Sequence, residues 1–212
     1  SSSETPLSIL YDIFGKDEDI IIGGLAVDIG TTTVSAVLIN MENSEILAKS
    51  SAGNGQIRFG ADVINRIVES QKPGGQKKLQ DAVIKENINR MSHEMCKSAK
   101  FPRDRIYRMC VASNTTMNHL FAGINSDPLR TEPYIPAFFK TNSLFASDVG
   151  IDINKDAHII MAPNIGSYVG GDITAGTLVS QIWNRPEFSL FIDLGTNGEL
   201  VFGNSDFMMS CA

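Results

Sequence analysis

The sequence is short of cysteine, of basic residues and of long apolar runs, and each shortage excludes something. Cys96, Cys110 and Cys211 are odd in number and widely spaced, with no Cys-x-x-Cys. That argues against a disulfide framework, a zinc site or a complete set of iron–sulfur ligands. They read as reduced thiols of a cytoplasmic protein. The net charge of −6, from 18 basic against 24 acidic residues, leaves no footprint for nucleic acid. No apolar stretch is long enough to span a membrane, and no secretory signal is visible. Two nucleotide signatures are also missing: Gly-x-x-x-x-Gly-Lys-Ser/Thr and a strand-borne Gly-x-Gly-x-x-Gly. The 212 residues suffice for one substantial domain or two small lobes.

What is present is a motif written twice. Leu25-Ala26-Val27-Asp28-Ile29-Gly30-Thr31-Thr32-Thr33-Val34 is echoed by Leu190-Phe191-Ile192-Asp193-Leu194-Gly195-Thr196-Asn197-Gly198-Glu199. Each reads as a buried strand ending in Asp-apolar-Gly-Thr, a tight turn and a second strand. The glycines let the backbone turn and approach a ligand. Hydroxyls and exposed N–H groups in such a turn can cradle phosphate oxygens. Asp28 and Asp193 would repel bare phosphate, so a cation must lie between, and Mg²⁺ suits a site of a few carboxylates plus substrate phosphates. One copy alone would read as an ordinary hairpin with a turn aspartate. The repetition favours two phosphate-facing hairpins of one nucleotide site.

Along the chain, residues 1–24 read as a linker or cloning remnant with a short helix from Leu7 to Phe14, broken by Gly23-Gly24. Strands are expected over 25–29, 33–40 and 46–51 as an antiparallel meander. Val34, Ala36 and Leu38 alternate with Val37 and Ile39, the pattern of a strand covered on both faces. A helix from Phe59 to Val68 carries the stripe Val63/Ile64 and Ile67/Val68, and a longer one spans 75–99. His93 within it has no assigned role. A strand over 106–112 feeds a short helix capped by Ser113 or Asn114. Asn114 and Thr115 read equally as a plain cap or as ligand-facing groups at a helix N-terminus, and His119 as a packing residue. Residues 125–157 are too long for an ordinary connection. They read as an ordered surface excursion burying Tyr134, Ile135, Phe138, Phe139 and Phe145, or as a partner surface. A strand over 159–162 leads through Gly170-Gly171 to Asp172 and a helix over 172–183. Asp172 is either an N-cap or a carboxylate orienting water near the terminal phosphate; the glycine-rich approach favours the second. A second hairpin follows over 188–203, then a strand from Phe207.

The two hairpins resemble the phosphate motifs of the superfamily of acetate and sugar kinases, heat-shock chaperones and actin. Phe-Gly-Ala-Asp-Val-Ile-Asn-Arg-Ile from Phe59, Ala-Ser-Asn-Thr-Thr-Met-Asn-His-Leu from Ala112 and Pro-Asn-Ile-Gly-Ser-Tyr-Val-Gly-Gly-Asp from Pro163 narrow this. Over about residues 25–212 the set resembles the ATP-dependent reductive activators of corrinoid proteins. The resemblance implies an α/β, ribonuclease-H-like (actin-like ATPase) lobe of mixed sheet with flanking helices over 25–186, and the start of a similar lobe over 187–212. It implies ATP and Mg²⁺ bound between lobes. Hydrolysis would drive reduction of Co(II) to Co(I) in a corrinoid protein of a methyltransferase system, with the electron from an iron–sulfur domain elsewhere. By position, Asp28 and Asp193 would hold Mg²⁺ through water. Gly30, Thr31, Thr32, Thr33, Gly195, Thr196 and Asn197 would line the phosphates with Asn114 and Thr115. Asp172 and Asp193 would be catalytic. The chain then reads as a fragment, whose unfinished sheet edge could pair with a second copy. A small-molecule kinase of the same superfamily and a non-catalytic assembly lobe are the competing readings.

Overall fold

The computed structural model describes residues 13–15, 20–141 and 144–212; most of the expected linker, and the short helix from Leu7 but for its last two residues, lie outside them. The first meander forms as the alternation requires: β1 (Gly23–Ile29), β2 (Thr33–Asn40) and β3 (Ile46–Gly53) pair antiparallel. Gly23 and Gly24 do not break the chain before β1 but open it. A Cβ on Gly23 would stand 2.7 Å from the Phe101 ring, so that aromatic packs directly over the strand.

The N-terminal half of the helical layer follows β3. Helix α1 (Val63–Ser70) is capped by Asp62, whose carboxylate accepts from the Asn65 N–H at 2.8 Å. Its buried face differs from the expected stripe. Ile64 and Val68 are each 43 % exposed, whereas Arg66 and Ile67 are buried. The expected helix over 75–99 is interrupted: α2 (Gly75–Val83) and α3 (Arg90–Ala99) are joined by a π-helical turn over Ile84–Asn89. The wider turn aims Asn87 at the loop after β3. There its amide accepts from the Gly55 N–H at 2.9 Å and donates to the Gly53 carbonyl at 2.8 Å. Such insertions often mark functional positions.

Strand β4 (Ile106–Ser113) lies parallel to β1 and runs into α4 (Thr115–Ala122). Beyond it, β5 (Leu144–Phe145), α5 (Ala146–Val149) and β6 (His158–Met161) complete a mixed sheet in the order β3-β2-β1-β4-β6-β5. One face of this sheet, with Leu25, Val27, Val34, Leu38, Met109 and Val111, is buried with Leu79, Val83, Ile88, Met91 and Met95 of the helical layer. Each such aliphatic side chain contributes roughly 1.5–3 kcal/mol by leaving water. The opposite face is only partly covered, by a helix beside β4 described next: Ala26, Cys110 and Ile160 stay exposed there and Val37 is half-buried. β2 is therefore a strand with one packed face, contrary to its apolar composition. Helix α6 (Gly171–Ser180) then leads to a separate antiparallel sheet of β7 (Ser189–Leu194), β8 (Gly198–Gly203) and β9 (Met208–Cys211). Phe191 of β7 lies against α6, and a Cβ on Gly176 would come within 2.4 Å of its ring.

Among its described residues, the long segment after α4 buries Leu129, Val149, Ile151 and Ile153; of the residues expected to pack, Phe138 and Phe145 are half-buried, while Tyr134, Ile135 and Phe139 stay exposed. His119 pins this segment to α4, as a packing residue should. Its Nδ1–H donates to the Thr115 carbonyl at 2.8 Å, Nε2 accepts from the Ala137 N–H at 3.1 Å, and its ring stacks on Phe138 at 4.5 Å. Both ring nitrogens are committed in the neutral form, and burial lowers the pKa below 6.5. The folded state thus binds fewer protons than the unfolded one. Stability is full above about pH 6.5 and is lost as the pH falls below it. His119→Gln is expected to flatten the dependence of Tm on pH below 6.5 while lowering Tm at pH 7.5; an unchanged pH slope would refute the assignment.

Candidate active site

The turn between β1 and β2 shows how a short stretch of backbone is left with unused N–H groups. The Gly30 N–H donates to the Thr33 carbonyl at 2.9 Å, and a Cβ on Gly30 would stand 2.8 Å from that oxygen. The Gly30 carbonyl accepts from the Asn54 side chain at 2.8 Å, the Thr31 carbonyl from Arg66 Nη2 at 2.5 Å, and the Thr32 carbonyl from the Asn54 N–H at 2.8 Å. The carbonyls from Gly30 to Thr33 are therefore all bound by the protein. The N–H groups of Thr31 and Thr32 have no acceptor among the described residues. The turn between β7 and β8 repeats the closure, with the Gly195 N–H donating to the Asn197 carbonyl at 2.9 Å. The two turns meet: Thr32 Oγ1 and Thr196 Oγ1 lie 3.2 Å apart.

Between them is a cleft of about 480 Å³ lined by Asp28, Gly30, Thr31, Thr32, Thr33, Asn114, Asp172, Asp193, Gly195, Thr196 and Asn197, together with Ser35, Leu194 and Glu199. Asn114 does both things its position allowed. Its oxygen accepts from the Met117 N–H at 2.9 Å as the N-cap of α4, and its amide donates to Thr31 Oγ1 at 3.1 Å. Thr115 is turned away: its hydroxyl donates to the Gly166 carbonyl at 2.6 Å, and it does not line the cleft. Asp172 is not the cap of α6. Gly170 is, and Asp172 sits in the first turn, accepting from the Ile173 N–H at 2.9 Å. The glycines make this possible. A Cβ on Gly170 would lie 2.4 Å from Asn114 Cα, and one on Gly171 2.4 Å from the Ala162 carbonyl.

Sequence reasoning missed several residues. Glu199 pairs across the ladder with Asp193 as Ser35 pairs with Asp28, so the second hairpin carries an extra acid where the first has a hydroxyl. Register counting from each aspartate could have found it. Asn54 carries no motif signal, and Arg66 lies within the stretch from Phe59 without being singled out; the role of both comes from the packing behind the turn.

The cleft gathers four carboxylates, and no lysine or arginine lines it. Asp28 opens onto the cleft, yet the protein around its carboxyl excludes enough water to raise its pKa, and Asp172 and Asp193 raise it further, to about 6. Asp172 is also shifted upward, by burial first and then by Asp193, against the Ile173 N–H. Burial and the same two neighbours, Asp172 and Asp193, raise Glu199. Among the described residues no three acids, histidines or cysteines are grouped closely enough to ligate one ion directly. A hard cation that keeps most of its water and takes one or two carboxylates plus phosphate oxygens fits this donor set.

Comparison with known proteins identifies the family and the fold. Residues 23–185 match the family described as the RACo middle region, and residues 187–212 match the C-terminal domain of RACo, the ASKHA domain. The chain is 35 % identical over 184 residues to the corrinoid activation enzyme RamQ of Eubacterium limosum, covering 86 % of this chain and 30 % of that protein. A solved reductive activator for corrinoid, iron–sulfur protein superposes with a TM-score of 0.89 at 40 % identity, covering 92 % of this chain and 31 % of that one. The chain thus spans about three tenths of the relatives it matches, and its mixed α/β fold is that of their actin-like ASKHA domain.

The raised pKa of Asp28 has a measurable consequence. The folded carboxyl keeps its proton to about pH 6, whereas the ordinary value is 3.8. The folded state therefore loses stability as pH rises through that window, and the penalty is complete above it. In EDTA at pH 7.5, Asp28→Asn is expected to raise Tm. Added Mg²⁺ should then stabilise the wild type more than the variant. A lower Tm for the variant in EDTA would contradict this account of the cleft.

Proposed function

The chain belongs to the RACo family of reductive activators of corrinoid proteins, and from that premise we propose that its cleft binds Mg-ATP and that hydrolysis there drives a partner's Co(II) corrinoid to Co(I). The observation that carries the proposal is the meeting of the two turns, Thr32 against Thr196, with Asp28 and Asp193 set behind them. Free N–H groups and hydroxyls of Thr31, Thr32, Thr33, Thr196 and Asn197 receive the phosphates beside Gly30, Gly195 and Asn114, as anion-binding backbone does elsewhere. Asp28 and Asp193 hold Mg²⁺ through its waters. When bound, the ion offsets phosphate charge and the mutual repulsion of the cleft acids. Asp172, whose pKa burial and then Asp193 push upward, orients the attacking water and accepts its proton, with Glu199 beside it.

Coupling follows from where the turns sit. One belongs to the six-stranded sheet and the other to the three-stranded sheet. A triphosphate that touches both has higher affinity for a closed arrangement, and only such differential affinity can move the equilibrium. In this reading the electron is supplied by an iron–sulfur centre elsewhere in the activator. The partner is a corrinoid protein of a methyltransferase system.

In the full-length activator, ATP hydrolysis is expected to be slow, stimulated by the corrinoid partner and abolished by EDTA. Asp193→Ala should lower it by about 100-fold, the scale for loss of one group that stabilises transition-state charge, and Co(I) should no longer accumulate by its absorbance. Unchanged hydrolysis in that variant would overturn the proposal.

A further inference from the structure

Arg66 is fully buried, and among the described residues no carboxylate is hydrogen-bonded to it. Its Nε donates to the Gly60 carbonyl at 2.9 Å, Nη1 to Gln56 Oε1 at 3.3 Å beside the Met117 sulfur at 3.3 Å, and Nη2 to the Thr31 carbonyl at 2.5 Å. Gly60 leaves the room, since a Cβ there would stand 2.9 Å from Arg66 Cγ. The nearest acid acting on it is Asp62, engaged as the cap of α1, and burial lowers the arginine pKa to about 10. A buried cation without a partner is costly, and a hydrophobic side chain of similar volume would fill the same space without that cost. The cation is bonded to the carbonyl of a turn that lines the cleft and whose Thr31 and Thr32 N–H groups have no acceptor among the described residues.

We infer that Arg66 is a positioning residue for phosphate binding: through the Thr31 carbonyl it holds the Gly30–Thr33 turn with its N–H groups toward the ligand, and it places a fixed positive charge behind the phosphates. A forked guanidinium can hold Thr31, Gly60 and Gln56 together, whereas an ammonium presents a point charge on a flexible stem. The inference rests on the phosphate reading of the cleft.

The test uses the full-length activator carrying Arg66→Lys, Arg66→Met or Gln56→Glu, with Ile159→Val on β6 as a core-truncation control for stability. Gln56→Glu sets a carboxylate beside the guanidinium and draws it from Thr31 without deleting it, so it serves if either Arg66 variant fails to fold. Both Arg66 variants are expected to weaken Mg-ATP binding by about tenfold or more, raising KM more than they lower kcat. Gln56→Glu should weaken it several-fold. Hydrogen–deuterium exchange should show that Mg-tripolyphosphate protects the segment spanning Gly30–Thr33 in the wild type and Ile159→Val, and fails to do so in the Arg66 variants. Affinity within twofold of wild type in Arg66→Lys and Gln56→Glu, or a loss no greater than that of Ile159→Val, overturns the inference. If the wild type itself binds no Mg-ATP, the proposed function falls, and exchange in the ligand-free proteins still decides on Arg66. About tenfold faster exchange over Gly30–Thr33 in the variants supports it, and unchanged exchange refutes it.

Discussion

A peptide group has two polar ends, and a turn can offer its N–H groups to an anion only if something else takes its carbonyls. In the β1–β2 turn that condition is met from behind, by both donors of Asn54, by Arg66 and by the Gly30 N–H. Buried carbonyls left without donors would each cost of order 1–3 kcal/mol, so the bracing is a requirement of the turn. It also accounts for features that look unrelated. The loop carrying Asn54 is held at Gly53 and Gly55 by Asn87, and Asn87 can reach it because the helix there widens into a π turn. The defect in the helix and the shape of the turn are one arrangement.

The second turn has no comparable support among the described residues. It closes on itself through Gly195 and Asn197 and rests against the first turn through Thr196. Its environment is set instead by α6, which Gly170 and Gly171 bring against the ends of β4 and β6 and which Phe191 meets across Gly176. The same close packing gathers Asp172, Asp193 and Glu199 opposite Asp28. Carboxylates so arranged repel one another, and that repulsion adds to burial, the larger cause, in raising Asp28, Asp172 and Glu199. Under the proposed function, acids carried by two different sheets resist closure until a cation arrives, and a cation with phosphates favours the closed form by relieving that repulsion as well as by making contacts, the differential affinity that a nucleotide-driven device needs.

The chain belongs to the RACo family, and the residues of the cleft fit the role proposed for it. The polar groups come from the two turns, the start of α4 and the start of α6, the positions where strand ends and helix N-termini concentrate free N–H groups. The aromatics of residues 125–157 contribute to packing near α4 through Phe138 and His119 rather than to the cleft.

The amino-acid sequence alone determined what is local. Asp-x-Gly-Thr repeated at Asp28 and Asp193, the cap at Asn114 and the paired glycines before Asp172 each specify a turn or a helix start within a few residues, and the structure contains each of them. Tertiary packing alone decided the rest. It turned Thr115 away from the cleft, buried Arg66 in place of Ile64, opened one face of β2 and widened the helix at Asn87. The reason is the range of the interactions. A spacing of two or three residues fixes a turn, but the partner of a buried polar group is chosen by whichever elements pack around it. Arg66 and the Thr31 carbonyl stand 35 residues apart in the chain, and no periodicity connects them.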